Sequence, residues 1–161
     1  MRTVQQSMEQ VLARLVDLRA AIIQALTDRF GPQPWQPAPT VPAFTRAGAD
    51  DEDRPQAETV SLGTVYFPDV YPPEQWREVA DTVARTAERF GFTRLVIHQD
   101  SPEGIAFAGE HPEGHIYRFG ISATTVLAVR SGPAVWAAEP YRSAADLPGS
   151  AVDGVAPRTT Q

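Results

Sequence analysis

The sequence predicts an α+β fold: a two-layer sandwich in which a long N-terminal helix and a second helix pack on one face of a mainly antiparallel sheet. Two observations predict it. Apolar residues near the N-terminus recur at helical spacing, and the later part of the chain alternates short β-prone segments with turn sequences. This order is typical of a sheet with helices on one face. With 161 residues, 42% of them hydrophobic, the chain has the size of one domain.

The first predicted helix runs from about Thr3 to Phe30. Its apolar residues recur at intervals of three and four, which places on one face of the helix Val4, Met8, Val11, Leu15, Leu18, Ile22 and Leu26. Gly31 and Pro32 predict its end, since glycine accepts the left-handed conformation and proline does not continue a helix. We expect the stripe to pack on the chain's own sheet. The seven-residue repeat also suits a homodimer through Val4, Val11, Leu15, Leu18 and Ile22.

A proline-rich segment follows the helix. The run 32–42, PQPWQPAPTVP, has too many prolines for a helix or a central strand and predicts an extended strap, with Trp35 and then Phe44 anchored on the core. The predicted organisation is a helix at 1–31, a connecting segment at 32–58 and a strand-helix-meander core at 59–138. The strap and an acidic loop make up the connecting segment. Low hydrophobicity predicts a disordered tail at 139–161.

The core is predicted to begin with a strand at Val60–Phe67, which alternates and is rich in β-branched and aromatic residues. A helix follows from Pro72 to about Phe90, because prolines are tolerated in a first helical turn, and Gly91 ends it. The turn sequences SPEG at 101–104 and HPEG at 111–114 separate the next segments. The predicted meander strands are 92–99, 105–108, 115–123, 125–130 and a short one at 134–136.

Composition excludes several classes of function. The net charge is −6, and all 14 basic residues are scattered arginines, so the basic patch of a nucleic-acid-binding protein is absent. Without cysteine there is no disulfide, thiolate nucleophile or thiolate zinc site. No glycine-rich phosphate loop occurs, and no apolar run approaches the roughly 20 residues of a membrane helix. The first residues also lack a signal-peptide pattern.

Polar groups near the meander turns are the candidates for a site. They are His98, His111 and His115 with Asp100, Glu110 and Glu113, and the predicted strands allow them to converge at one end of the sheet. Their spacing matches no known metal motif, and a His98–Asp100 pair has neither a nucleophile nor an oxyanion hole. We therefore predict no catalytic residue, no cofactor-binding residue and no metal ligand. A small hydrolase or metal protein built on these groups is one alternative. Another is a pocket lined by Tyr66, Trp76, Tyr117 and Phe119, although aromatic residues on strands are more often core.

Three stretches resemble a known family. The helix end AAIIQALTDRFGPQPW, the run TVYFPDVYPPEQWREVADTVARTAERFGFT and the closing YRFGISATTVLAVRSG resemble actinobacterial surface lipoproteins of the LppA type, over about Ser7 to Val135. In that family a lipidated N-terminal cysteine precedes a helix and a sheet domain. This chain lacks that cysteine and also the pair that the family has near 48–53 and 131–133.

The resemblance implies no catalytic residue. It implies a non-enzymatic, soluble, extracytoplasmic domain of a cell-envelope lipoprotein that binds a partner or an apolar ligand. The alternative is a cytoplasmic interaction module that dimerises through the N-terminal helix, since the chain shows neither a signal peptide nor a lipobox cysteine. We expect no cofactor and no nucleic-acid partner. A hydrophobic groove between helix and sheet would favour a ligand carrier over a scaffold.

Overall fold

The computed structural model describes residues 6–38, 44–46 and 57–137. In this part of the chain the α-helices are α1 (Met8–Phe30) and α2 (Trp76–Glu88), and a 3₁₀ turn, Pro73–Gln75, precedes α2. The strands are β1 (Gln36–Pro37), β2 (Phe44–Arg46), β3 (Glu58–Phe67), β4 (Arg94–Ser101), β5 (Gly104–Glu110), β6 (Ile116–Ile121) and β7 (Thr125–Arg130). The predicted α+β fold, with its long N-terminal helix, is confirmed.

The strands form an antiparallel sheet in the order β1-β3-β7-β6-β5-β4, and β2 also pairs with β3. Strands β4 to β7 are the predicted meander, because each pairs with the next along the chain. Strand β3 pairs with β7, the last of them. Strand β4 therefore lies at one edge of the sheet.

Helix α1 begins at Met8, later than the predicted start near Thr3. The side chain of Ser7 accepts a hydrogen bond from the backbone N–H of Gln10 at 3.2 Å, and the backbone N–H of Ser7 donates to Oε1 of Gln10 at 3.0 Å. This reciprocal capping box satisfies backbone donors that a helix start leaves free. Gln6 precedes the helix, and residues 1–5 lie outside the described part of the chain.

The apolar stripe of α1 is the centre of the core. Each of its described members is at most 2% exposed, namely Met8, Val11, Leu15, Leu18, Ile22 and Leu26. Helix α1 packs against α2, β7 and β3. Neither helix has the length and hydrophobicity that crossing a membrane requires. A homodimer through this stripe stays a prediction, and it would require α1 to leave the core; its first residue, Val4, lies outside the described residues.

The proline-rich strap is anchored by Trp35. Its ring is buried and meets the ring of Phe67 edge to face, with 4.8 Å between centroids. Two short strands within the connecting segment, β1 and β2, were not predicted. They form because the extended conformation of a proline-rich segment is close to that of a β-strand. Proline is tolerated at the edge of a sheet, since its missing N–H faces away from the neighbouring strand. The side chain of Phe44, the predicted second anchor, lies outside the described residues, as does the tail 139–161.

The C-terminal end of the described chain joins α1 to β3. The backbone N–H of Met8 donates to the carbonyl of Val135 at 2.9 Å. Ala134 pairs with Glu58 as an isolated bridge, in place of the predicted strand 134–136. Nε1 of Trp136 donates to Oε1 of Glu58 at 2.9 Å. These bonds tie the first residue of α1 to the first residue of β3.

We expect Leu15→Asp to unfold the single chain. Leu15 is 1% exposed, so the change places an unpaired carboxylate in the core and removes an aliphatic side chain, at a cost above about 4 kcal/mol. Ala20→Asp, on the exposed side of the same helix, is the control and costs less than about 1 kcal/mol. Urea denaturation followed by circular dichroism measures both. A Leu15→Asp variant that remains a stable folded monomer would show that the stripe is an interface between copies.

Candidate functional site

A groove of mixed polarity lies between α2 and the edge strand β4. Helix α2 packs chiefly against α1; among the strands it meets β5, and β4 is the next strand outward. The cavity has a volume of about 450 Å³. Its lining residues are Pro73, Trp76, Arg77, Ala80, Asp81 and Ala84 from the α2 side, and Leu95, Ile97, Gln99, Asp100, Ile105 and Phe107 from β4 and β5.

The floor of the groove exposes two large aliphatic side chains. Leu95 is 48% exposed and Ile97 is 57% exposed. Ile97 lies opposite the buried Phe107, and Leu95 lies opposite Gly109, so both side chains project toward the helix layer. Adjacent large apolar side chains that remain open to solvent are typical of an interaction site.

The wall formed by α2 combines small residues with one fixed aromatic ring. Ala80 and Ala84 are half-buried and leave space beside the helix. Nε1 of Trp76 donates to the carbonyl of Tyr71 at 2.7 Å, which orients the half-buried indole. Of the four aromatic residues considered as a pocket lining, the structure brings Trp76 alone to this groove. Tyr117 and Phe119 are buried in the core, and Tyr66 is half-buried on the other face of the sheet.

Strand β4 has an irregular outer edge. Its register with β5 shifts between Ile97 and Gln99, so His98 lies at a β-bulge. Bulges at sheet edges bend the strand and hinder pairing with another strand. The strand therefore offers a ligand its inner face beside α2 more readily than its hydrogen-bonding edge.

Sequence reasoning missed Leu95 and Ile97 as site residues. The segment RLVIHQD was interpreted correctly as a strand, but its alternation does not show how far a helix covers it. The charged and polar residues around the two aliphatic side chains were the available signal, because edge strands often carry such groups.

A second cluster lies in the turn between β5 and β6. The rings of His111 and His115 are 4.8 Å apart between centroids, and Oε1 of Glu113 is 3.9 Å from Nε2 of His115. Gly91, which has a φ of +95°, lies against His111; a Cβ atom there would be 2.8 Å from the imidazole. The end of α2 and this turn therefore fit closely.

Both imidazoles accept backbone hydrogen bonds through Nδ1. The N–H of Glu113 donates to His111 at 3.0 Å, and the N–H of Gly132 donates to His115 at 2.8 Å. Each neutral ring therefore carries its proton on Nε2. A metal-bound histidine normally donates its second ring N–H to an acceptor, whereas here a metal on Nε2 would require an imidazolate. One ligand atom from each of His111, Glu113 and His115 lies within 4.8 Å of the others, but both Nδ1 atoms already accept backbone hydrogen bonds.

The three histidines do not converge. His98 is four residues along β4 from Arg94, and Arg94 lies opposite Glu110 and pairs with it at 3.4 Å. His98 is therefore about 13 Å along the strand from the end of the sheet where His111 and His115 lie. Asp100, also on β4, lines the groove. The prediction of no catalytic, cofactor-binding or metal-ligating residue stays a prediction.

The electrostatics of the turn keep both rings neutral at pH 7. Burial is the largest effect that lowers the pKa of His115 to about 4; the nearby His111 also lowers this pKa, and the carboxylate of Glu113 raises it. Burial likewise lowers the pKa of His111, with Glu113 acting in the opposite direction. Only 6% of His115 is exposed to solvent, so its protonation would place a charge in the protein interior.

We expect the free energy of unfolding to fall at acid pH because of His115. Its pKa in the folded chain, about 4, lies below the 6.5 of a free imidazole. The unfolded chain therefore binds a proton that the folded chain does not, and the stability present above pH 6.5 is lost between about 6.5 and 4, on the order of 3 kcal/mol. Urea denaturation across this range measures the loss. His115→Gln should flatten the profile; a variant whose stability falls with pH as steeply as that of the unchanged chain would contradict the assignment.

Comparison with known proteins identifies the family. A family model described as LppA, a lipoprotein confined to pathogenic Mycobacterium, matches residues 3–134. The crystal structure described as the lipoprotein LppA from Mycobacterium tuberculosis has the same fold, with a TM-score of 0.57 and 12% identity over 81% of this chain and 79% of that one. A DUF4853 family protein from Actinomyces odontolyticus matches with a TM-score of 0.60 and 14% identity over 84% and 72%. No curated protein matches in sequence. Since the family match spans most of its length, the chain belongs to the LppA family of lipoproteins.

Proposed function

We propose that the chain is a non-enzymatic binding domain of a cell-envelope lipoprotein and that it holds an apolar ligand in the groove between α2 and β4. The exposure of Leu95 and Ile97 beside α2 is the observation that carries this proposal. Covering these two side chains would stabilise a complex by about 1.5 kcal/mol for each side chain removed from water. The remaining lining supplies shape and a polar rim.

The dimensions of the groove favour a slender ligand. Its volume of about 450 Å³ lies within the range of small-molecule sites, roughly 300 to 1,000 Å³. The α2 wall, from Pro73 to Ala84, runs for about 16 Å at the rise of a helix. An extended hydrocarbon chain of about a dozen carbons matches this length, whereas a globular partner would not enter beside the helix.

The rim chemistry supports binding over catalysis. The charged lining residues are Arg77, Asp81 and Asp100, all exposed at the edge of the groove. Apart from the carboxylates of Asp81 and Asp100, the lining contains no side chain that commonly serves as a nucleophile or a general base, since histidine, serine, threonine and cysteine are absent from it. The two imidazoles at the β5–β6 turn have their Nδ1 atoms engaged by backbone donors and lie away from the groove.

The envelope location rests on the family, whose description is that of a lipoprotein. We expect the protein purified from its own host to be found in the membrane fraction, acylated on a cysteine N-terminal to this chain. Cell fractionation followed by intact-mass spectrometry measures both properties. An unacylated chain in the cytoplasmic fraction would instead support the cytoplasmic interaction module.

We expect a brominated dodecanoate to quench the fluorescence of Trp76. Trp35 and Trp136 are buried in the core, so a bromine atom in the groove reaches Trp76 first. Leu95→Glu with Ile97→Glu should weaken binding by about tenfold or more, because it places two charges where the chain would lie. Titration of tryptophan fluorescence measures the affinity.

The matched control is Val135→Glu, which changes the third exposed large aliphatic residue of the described chain, outside the groove. It should bind the probe with unchanged affinity. Quenching that persists in Trp76→Phe, or that is equal in the groove and control variants, would place the probe elsewhere and reject the groove as the site.

A further inference from the structure

The sheet has a second face, opposite to the helices, with its own charge pattern. Arg118 on β6 lies directly between Ala108 on β5 and Ala128 on β7. Arg130 on β7 lies opposite Ile116, one step further along the same face. Both arginines are exposed, and alanine neighbours leave Arg118 uncovered on both sides.

Arg118 and Arg130 form a pair of like charges. Arg118 has two charged diagonal neighbours, Arg130 on β7 and Glu110 on β5, each about 7–8 Å away between Cα atoms. Neither guanidinium has an ion-pair or hydrogen-bond partner among the residues that the structure describes, whereas Arg94 on the same face is paired with Glu110. Adjacent unpaired cations repel one another. An anion bound between them would offset this repulsion, which is present in the free protein.

This pair is unusual for the protein as a whole. The chain carries a net charge of −6, yet the described part of this face has three arginines and one carboxylate, Glu110. An anionic surface would repel most of the molecule and attract this face. The charge pattern therefore favours a negatively charged partner, and it favours binding through this face of the sheet.

The arginine pair lies near the start of α1. The backbone N–H of Ser131, next to Arg130, donates to the carbonyl of Val60, and the carbonyl of Val135 accepts from Met8. Four residues lie between Arg130 and Val135, so at most about 17 Å of chain separates Arg130 from the residue that holds the start of α1. In a lipoprotein the anchor precedes α1, and this end of the domain is the one held at the membrane.

We propose that Arg118 and Arg130 dock the domain on the phosphate headgroups of anionic lipids. The proposal rests on the proposed envelope location but not on the groove, which lies on the other face of the sheet. Guanidinium groups bind phosphate oxygens through paired, charge-assisted hydrogen bonds, and each arginine at an anionic bilayer adds about a fivefold gain in partition. Docking would leave the groove open on the side away from the lipid.

The test is sedimentation of the full chain with vesicles of equal parts phosphatidylglycerol and phosphatidylcholine, compared with vesicles of phosphatidylcholine alone. At about 0.01 M salt, where screening is weak, we expect binding to the anionic vesicles only, and a steep loss as salt rises. Arg118→Gln with Arg130→Gln should lower the partition by about thirtyfold. Both side chains are exposed, so the fold is retained, which circular dichroism checks.

The matched control is Arg29→Gln with Arg85→Gln, which removes the same charge from exposed positions on the helices. It should bind as the unchanged protein does. Equal losses in the two double variants, or equal binding to both kinds of vesicle, would overturn the proposal. Glycerol phosphate that shifts the NMR signals of Arg118 and Arg130 without any vesicle binding would also overturn it, in favour of a soluble anion. The brominated dodecanoate titration separates this failure from a failure of the groove.

Discussion

Two helices cover a sheet that is wider than they are, and much of the structure depends on this mismatch. Packed helices lie about 8–10 Å apart, and neighbouring strands about 4.8 Å apart, so two helices cover about four strands. Helix α1 lies over β3 and β7, and α2 reaches β5. Strand β4 is left at the margin of the helix layer, where Leu95 and Ile97 face the side of a helix but remain half open to solvent. The groove forms because the two helices do not extend over β4.

The fold was largely predictable because its signals are local. The periodicity of α1, the prolines before α2 and the two turns with proline and glycine each act within a few residues. The predicted start of α1 was too early, because an apolar stripe does not show where the first helical turn begins. The position of the first turn was encoded by Ser7 and Gln10, which form the capping box. The strands of the proline-rich segment were missed because proline conceals an edge strand.

The site was far less predictable, since it depends on relations between distant segments. No pattern within 94–101 shows that α2 stops short of β4. A single bulge at His98 also changes the alternation of side chains along the strand, so counting residues from a turn does not place His98 and Asp100 reliably. The two histidines that do meet, His111 and His115, belong to one short turn, where sequence distance is a good guide to spatial distance.

Folding during translation is affected by two contacts at the end of the described chain, those of Val135 with Met8 and of Trp136 with Glu58. The ribosome delivers α1 first, but the residues that hold its start are among the last of the described chain to emerge. Strand β7, on which α1 packs, also comes late. Closing so long a segment is slow, and meanwhile the apolar stripe has no partner. The nascent chain must therefore remain incompletely folded through most of translation, with its largest apolar surface exposed until the last strand has been made.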